Sequence, residues 1–150
     1  MKASREPGGR PPVGKVPLCV PEISGREWEY VKECLDTGWV SSVGAFVTRF
    51  EDMMAEICGL PHAVATTTGT AALQVALRVA GVEADDEVIV SGLTFVAPVN
   101  AVRYLGAWPV LVDVDPDTWQ IDPAQVRTFL ETGCDVMAGR PVNRVTGRRV

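Results

Sequence analysis

The fold class follows from residues 87–114, which read EVIVSGLTFVAPVNAVRYLGAWPVLVDV. Glu87–Ser91 and Trp108–Val114 are short runs rich in valine, and Val96–Leu105 between them has a helical pattern. Both runs are largely apolar, as expected of strands that helices cover on both faces of a parallel sheet. The stretch therefore predicts a strand–helix–strand unit of an α/β protein.

The same alternation is found upstream of this unit. Ala63–Ala65 is predicted to be a strand, and Thr70–Ala80 is predicted to be a helix. We therefore expect residues 60–115 to form successive parallel strands with covering helices.

Downstream, Asp122 and Pro123 combine a good capping residue with a proline suited to the first helical position. They predict a helix from about Ala124 to Leu130. Residues 139–150 are mostly hydrophilic and predict a turn.

The N-terminal part of the chain predicts an arm followed by two helices. Residues 1–16 are rich in proline and glycine and predict a flexible arm, so the domain is expected to cover residues 17–150. Ser24 stands three residues before Glu27, the spacing of a capping box. The first helix should end at Gly38. The second is indicated by apolar residues at helical spacing, namely Phe46, Phe50, Met53, Met54 and Ile57.

Composition narrows the class of protein. The chain has 150 residues, of which 47% are hydrophobic, and a net charge of −5. These values fit a globular domain and disfavour binding to a nucleic-acid backbone. No run is long enough to span a membrane and no secretory signal is present, so we expect a cytoplasmic location. Four scattered cysteines and a single histidine do not form the ligand set of a metal site.

The segment most informative about function is Thr66–Leu73, which reads TTTGTAAL. It joins a predicted strand to a helix whose first turn carries no acidic residue. The amides of Gly69, Thr70 and Ala71, with the hydroxyls of Thr68 and Thr70, would suit an external phosphate. An ordinary threonine N-cap is an equal alternative for this segment. Neither a dinucleotide fingerprint nor a Walker loop is present.

A second loop follows the next strand. It reads Ser91-Gly92-Leu93-Thr94-Phe95, and it lies beyond a strand's carboxyl end, where ligands bind in open α/β sheets. The ring of Phe95 could stack on a flat heterocycle, although a core position is the more common role for such a residue.

Taken together, these segments resemble the DegT/DnrJ/StrS-type nucleotide-sugar aminotransferases, which depend on pyridoxal 5′-phosphate (PLP). The resemblance runs from about Pro17 to Val150. Two parts of it, the segment around Trp39 and residues 143–149, are most similar to the branch that serves legionaminic-acid synthesis. It rests on ordered motifs with matching spacing: Thr37–Ser42, Thr68–Leu73, Asp86–Val90, Thr94–Val102 and Pro109–Thr118.

The resemblance implies the N-terminal part of the large domain of the aspartate-aminotransferase fold. It implies that Gly69 and Thr70, assisted by Thr68, bind the cofactor phosphate and that Phe95 stacks on the pyridine ring. Ser41 and Ser42 correspond to a loop that approaches the substrate near the dimer interface in the family. A surface turn is an equal alternative for these serines.

The family also requires a lysine that holds the cofactor and an aspartate that keeps the pyridine nitrogen protonated. The only lysines are Lys2, Lys15 and Lys32, all of which precede the threonine loop. Asp113 and Asp115 match a strand-end turn of the family and not its cofactor aspartate. No catalytic residue is therefore assigned, and we expect a truncated aminotransferase that is inactive alone.

The resemblance implies transfer of an amino group, from glutamate, to a 4-keto nucleotide sugar used in cell-surface polysaccharide or nonulosonate synthesis. The full-length enzyme would use a nucleotide sugar and an amino-acid donor and form a homodimer. The alternative is a non-catalytic α/β module that docks on a full-length homologue.

Overall fold

The computed structural model describes residues 14, 17 and 19–150. Except for Gly14, the predicted arm at residues 1–16 therefore lies outside the described residues. The chain divides into two compact units, Met1–Arg49 and Phe50–Val150. In the described part of the chain, no helix has the length and apolar character needed to cross a membrane.

The first unit contains helix α1, Glu27–Thr37, and the start of helix α2, Ala45–Cys58. The capping box predicted at Ser24 is wrong, because Arg26 is the residue at the N-cap position and no side chain caps the helix. The guanidinium of Arg26 instead donates to Glu29 Oε2 at 2.7 Å, an exposed ion pair that joins the N-cap residue to the first turn. The prediction for Gly38 is confirmed, since its φ of 75° ends α1 in the left-handed conformation.

The second unit begins with the rest of α2 and continues with alternating helices and strands. Its remaining elements are helix α3 (Gly69–Val79), strand β1 (Glu87–Ser91), helix α4 (Val96–Tyr104), strand β2 (Trp108–Val112), helix α5 (Pro123–Gly133) and strands β3 (Cys134–Met137) and β4 (Arg140–Asn143). β1 and β2 pair in parallel, from Glu87 opposite Trp108 to Ser91 opposite Val112. The predicted strand–helix–strand unit is thus confirmed.

A small core lies between this parallel pair and its helices. Val90, Val102 and Ala107 are buried there. Leu77 and Val82 pack against them from α3 and from the segment that follows it. The burial of these side chains holds α3 and α4 together over β1, and so fixes where both helices begin.

The strand predicted at Ala63–Ala65 is wrong. The segment has no regular secondary structure, and the amide of Ala65 donates to Glu51 Oε1 at 2.8 Å. A strand requires a paired neighbour, and the two parallel strands of the described chain pair with each other. β2 is also two residues shorter than predicted, since Val114 leaves the parallel pair to bridge Ile121 in antiparallel fashion.

Helix α5 begins as predicted, because Asp122 Oδ1 accepts from the amide of Ala124 at 2.8 Å and Pro123 occupies the first turn. The hydrophilic turn predicted at residues 139–150 is wrong in part. β3 and β4 form an antiparallel hairpin whose tight turn places Ala138 at φ 49° and Gly139 at φ 76°. Both positive values match the two-residue hairpin turns that suit strand twist.

Residues of the hairpin and of the segment after it pack on the amino end of β1. The carboxylate of Glu87 is buried and accepts from Asn143 Nδ2 at 2.7 Å and from Thr146 Oγ1 at 2.8 Å. Next to it, Arg149 forms an ion pair with Asp86 and also donates to the carbonyl of Gly81. The amino end of the parallel pair is therefore closed by polar contacts.

Candidate functional site

The threonine loop leads directly into helix α3. Thr68 is the N-cap, and its Oγ1 accepts from the amide of Ala71 at 3.1 Å. The threonine N-cap considered from the sequence is therefore present. The expectation that the amide of Ala71 is free is wrong, because the short threonine side chain satisfies that donor from within the turn.

Unlike the amide of Ala71, the two amides before it have no such hydrogen-bond acceptor among the described residues. The amides of Gly69 and Thr70 donate to no other residue that the structure describes. A Cβ built on Gly69 would meet no atom within 4 Å, so the space next to this backbone is open. The first turn of α3 contains no acidic residue. Two free N–H groups and the positive end of the helix dipole together favour an anion at this point.

A cleft of about 410 Å³ adjoins the loop within the second unit. Its polar lining comes from Thr66, Thr68 and Gly69 of the loop and from Glu51 and His62, and Glu51 Oε1 accepts from the amide of Ala65. Its apolar side comes from α2 and the segment after it, through residues that include Phe50, Met54, Leu60 and Val64. The site thus combines an anion-binding helix start with an apolar wall, an arrangement suited to a phosphorylated ligand with a hydrophobic body.

Phe95 lies after β1, in the second loop singled out from the sequence. It is the N-cap of α4, and its side chain is 75% exposed. The alternative of a core position for Phe95 is therefore wrong. An exposed ring at the carboxyl end of a parallel strand is free to stack on a ligand.

Ser41 and Ser42 belong to the first unit and are exposed in a bend after Gly38. Ser41 lines a cleft of about 240 Å³ with Trp39, and Ser42 is not among the residues that line it. Of the predicted site residues, the structure brings Thr68, Gly69 and Thr70 together in one turn.

The acidic residues after β2 have a structural role. Asp115 Oδ1 accepts from the amides of Asp117 and Thr118 and from the hydroxyl of Thr118. The hydrogen bonds from Thr118 hold the pKa of Asp115 below its ordinary value. Asp113 Oδ1 accepts from the amide of Val114 at 2.8 Å. These contacts are those of a turn, as expected from the sequence.

Glu33 of helix α1 was not singled out from the sequence. It lines a cleft of about 530 Å³ in the first unit together with Trp39. Its position on an exposed helix gave no signal of function in the sequence. Glu33 borders this cleft because the loop after α1 places Trp39 beside the same space.

Comparison with known proteins agrees with this geometry. The sequence profile of the DegT/DnrJ/EryC1/StrS aminotransferase family matches residues 21–134. GDP-perosamine synthase of Caulobacter vibrioides is 46% identical over 116 residues, which make up 77% of this chain and 31% of that protein. EpsN of Bacillus subtilis, which is assigned as a PLP-dependent aminotransferase by inference, is 39% identical over 78% of this chain and 30% of its own length.

Solved structures give the same result. Spr1654 of Streptococcus pneumoniae, a proposed sugar aminotransferase solved in apo, PLP and PMP forms, matches with a TM-score of 0.68 at 32% identity. Its PMP form is matched over 75% of this chain and 28% of that chain. The chain thus spans about 30% of the length of the curated relatives named above.

The fold is accordingly the N-terminal part of the large domain of the PLP-dependent transferases, and PLP is the cofactor of the group. The relatives named here do not address the legionaminic-acid branch, which stays a prediction. With a profile match over more than half of its length, the chain belongs to the DegT/DnrJ/EryC1/StrS aminotransferase family.

Proposed function

We propose that this chain forms part of a sugar aminotransferase that transfers an amino group, from glutamate, to a 4-keto nucleotide sugar. The observation that carries the proposal is the open start of α3, where the amides of Gly69 and Thr70 have no partner among the described residues. The names of the relatives support a sugar substrate, since GDP-perosamine synthases of Caulobacter vibrioides and Escherichia coli O157:H7 are among them.

The residues at this site fit PLP. The amides of Gly69 and Thr70 would hold the phosphate at the positive end of the helix, and the missing side chain of Gly69 lets an oxygen approach the backbone closely. The exposed ring of Phe95 would stack on the pyridine ring. When bound, PLP supplies an electron sink for amino transfer.

Thr68 has a positioning role in this proposal. Its hydroxyl oxygen accepts from Ala71 and so fixes the first turn of α3, which aims the two remaining amides at the same point. Its own O–H is then left to donate to a phosphate oxygen. We assign Ser41 and Ser42 to substrate binding, because their exposed hydroxyls can hydrogen-bond a sugar.

We further propose that these 150 residues do not catalyse the reaction alone. Lys32 is the one lysine among the described residues, and its ammonium group is exposed and paired with Asp36. An exposed amine that is already paired with a carboxylate on the same helix is a poor candidate for the amine that holds the cofactor. We expect the complete enzyme to be a cytoplasmic homodimer with the domain beginning near residue 17.

The test is to incubate the purified chain with PLP, reduce with borohydride and locate modified lysines by mass spectrometry. We expect weak, scattered labelling and no glutamate-dependent amino transfer to a keto sugar. In parallel, the amide resonances of Gly69 and Thr70 should shift when inorganic phosphate is added. Stoichiometric labelling of Lys32 with amino transfer, or amides that do not respond to phosphate, would contradict the proposal.

A further inference from the structure

Glu51 of helix α2 lies in the second unit and lines the cleft beside the threonine loop. Its Oε1 accepts from the amide of Ala65 at 2.8 Å, and both residues are half-buried. In the part of the chain that the structure describes, this is the only hydrogen bond that joins α2 to a residue beyond Leu60. One carboxylate oxygen therefore connects α2 to the segment that leads into the threonine loop.

The segment that donates this bond has little else to hold it. Residues 63–65 have no regular secondary structure, so their backbone forms no ladder of hydrogen bonds. The side chain of Val64 is exposed and adds little packing. An amide in a half-buried residue is costly to leave unpaired, and a charged acceptor forms a stronger bond with it than a neutral one. The position of the segment therefore depends on Glu51.

This dependence extends to the start of α3. Thr66, which follows Ala65 directly, donates from Oγ1 to the carbonyl of Thr68 at 3.0 Å. Thr68 in turn caps α3. The residues between the anchored amide and the helix are thus restrained by hydrogen bonds of their own. The placement of the Gly69 and Thr70 amides consequently follows that of Ala65.

We propose that Glu51 is a positioning residue for the anion site at the start of α3. In this role it acts through the backbone of Ala65 and keeps the amides of Gly69 and Thr70 aimed at one point. Its negative charge is unfavourable for a neighbouring anion, so its contribution comes from the reach of the side chain and its acceptor oxygen. The inference rests on the proposed function, because it concerns the site assigned to the phosphate of PLP.

Two substitutions separate the reach of the side chain from its charge. Glu51→Gln keeps the length and an acceptor oxygen but removes the charge. Glu51→Asp keeps the charge but is one methylene shorter, which takes its oxygens away from Ala65. The matched controls are Glu56→Gln and Glu56→Asp, which make the same exchanges at an exposed position of α2 that does not line the cleft.

The experiment titrates the 150-residue chain and each variant with inorganic phosphate while the amide resonances of Gly69 and Thr70 are followed. Glu51→Asp should weaken phosphate binding by about three- to tenfold, because loss of the bond lowers the fraction of loops in the binding arrangement. Glu51→Gln should bind phosphate at least as tightly as the unaltered chain. Hydrogen exchange at the Ala65 amide should be slow in the unaltered chain and in Glu51→Gln, and faster in Glu51→Asp. Both Glu56 variants should behave as the unaltered chain does.

Thr66→Val tests the next link without altering α2. It removes the hydroxyl that donates to Thr68 at an exposed position, and it should weaken phosphate binding by about threefold. This variant keeps the proposal testable if Glu51→Asp does not fold, which urea denaturation shows.

Three results would overturn the proposal: a folded Glu51→Asp that binds phosphate as tightly as the unaltered chain, an equal loss in Glu51→Gln and Glu51→Asp, or an unchanged affinity in Thr66→Val. An unaltered chain whose Gly69 and Thr70 amides do not respond to phosphate would contradict the anion site itself. Exchange at the Ala65 amide is measured without phosphate and reports the bond to Glu51 in either case. Failure of the proposed function is therefore distinguishable from failure of the role given to Glu51.

Discussion

Replacement of Gly69 by alanine separates a binding role from a structural one. A Cβ at this position meets no atom within 4 Å, and the backbone of Gly69 is outside the left-handed region. The alanine therefore causes no clash, and it restricts the unfolded chain. We expect Gly69→Ala to raise the free energy of unfolding by about 0.4–1 kcal/mol.

The same methyl group would occupy the space that a phosphate oxygen needs next to the amides of Gly69 and Thr70. Loss of one or two such hydrogen bonds to an anion, at about 1.5–3 kcal/mol each, predicts at least a tenfold weaker affinity for inorganic phosphate. Urea denaturation measures the stability, and the shift of the two amide resonances during a phosphate titration measures the affinity.

Gly81→Ala is the matched control. A Cβ there also meets no atom, but Gly81 has a φ of 87°, so alanine should destabilise the fold by about 1–2 kcal/mol without affecting phosphate. If Gly69→Ala leaves the phosphate affinity unchanged, or lowers stability as Gly81→Ala does, the assignment of an anion site to this loop is refuted.

Three further outcomes are expected. Thr68→Ala removes the cap of α3 and should cost about 0.5–2 kcal/mol in urea denaturation, whereas Thr68→Ser should retain most of it. Burial is the largest single influence on the pKa of Asp86 and raises it. The hydrogen bonds from Arg149 and from the amide of Glu83, together with the charges of Arg149 and Arg140, outweigh burial in sum and hold the pKa below the ordinary 3.8. The stabilisation from Asp86 is thus present above about pH 4 and lost as the pH falls through the folded pKa, and Asp86→Asn should show a smaller loss of stability on acidification. Burial, followed by the charge of Glu87, raises the pKa of the Cys134 thiol, so iodoacetamide at pH 8 should alkylate Cys134 more slowly than the exposed Cys58; equal rates in a mass-spectrometric time course would contradict this.

Local sequence patterns were sufficient to predict the central unit of the fold, which consists of β1, α4 and β2. The valine-rich runs that became β1 and β2 were identified by their apolar composition, and α4 between them supplies its own helical spacing. The predicted cover on both faces is incomplete in the described chain, because Leu111 of β2 is 62% exposed. Ala63–Ala65 has a similar composition but is not a strand. Pairing is a property of two segments, and composition alone does not show whether the second is present.

The candidate site was predictable to the same extent. The sequence located the start of α3 and an aromatic residue after β1, since both follow from loops at strand ends. It could not decide which amides remain free, because that depends on the rotamer by which Thr68 reaches Ala71. Glu33 was missed for a related reason, as its neighbour Trp39 lies on another element and is brought near only by the loop.

Different segments of the sequence lie at the two ends of β1. The loop that carries Phe95 follows the carboxyl end at Ser91, which lies inside the segment that matches the family. The amino end at Glu87 is held by Asn143 and Thr146, which lie outside that segment. A strand of this length separates Glu87 from Ser91 by about 13 Å, so the contacts at one end do not touch a ligand at the other. Glu87→Gln should therefore lower the free energy of unfolding by about 1–3 kcal/mol through its buried hydrogen bonds, and leave the response of the Gly69 amide to phosphate unchanged. Glu83→Gln, at an exposed position, is the control for stability. A loss of phosphate binding in Glu87→Gln, at a urea concentration where the protein is folded, would show that the hairpin region shapes the site and that the two ends are coupled.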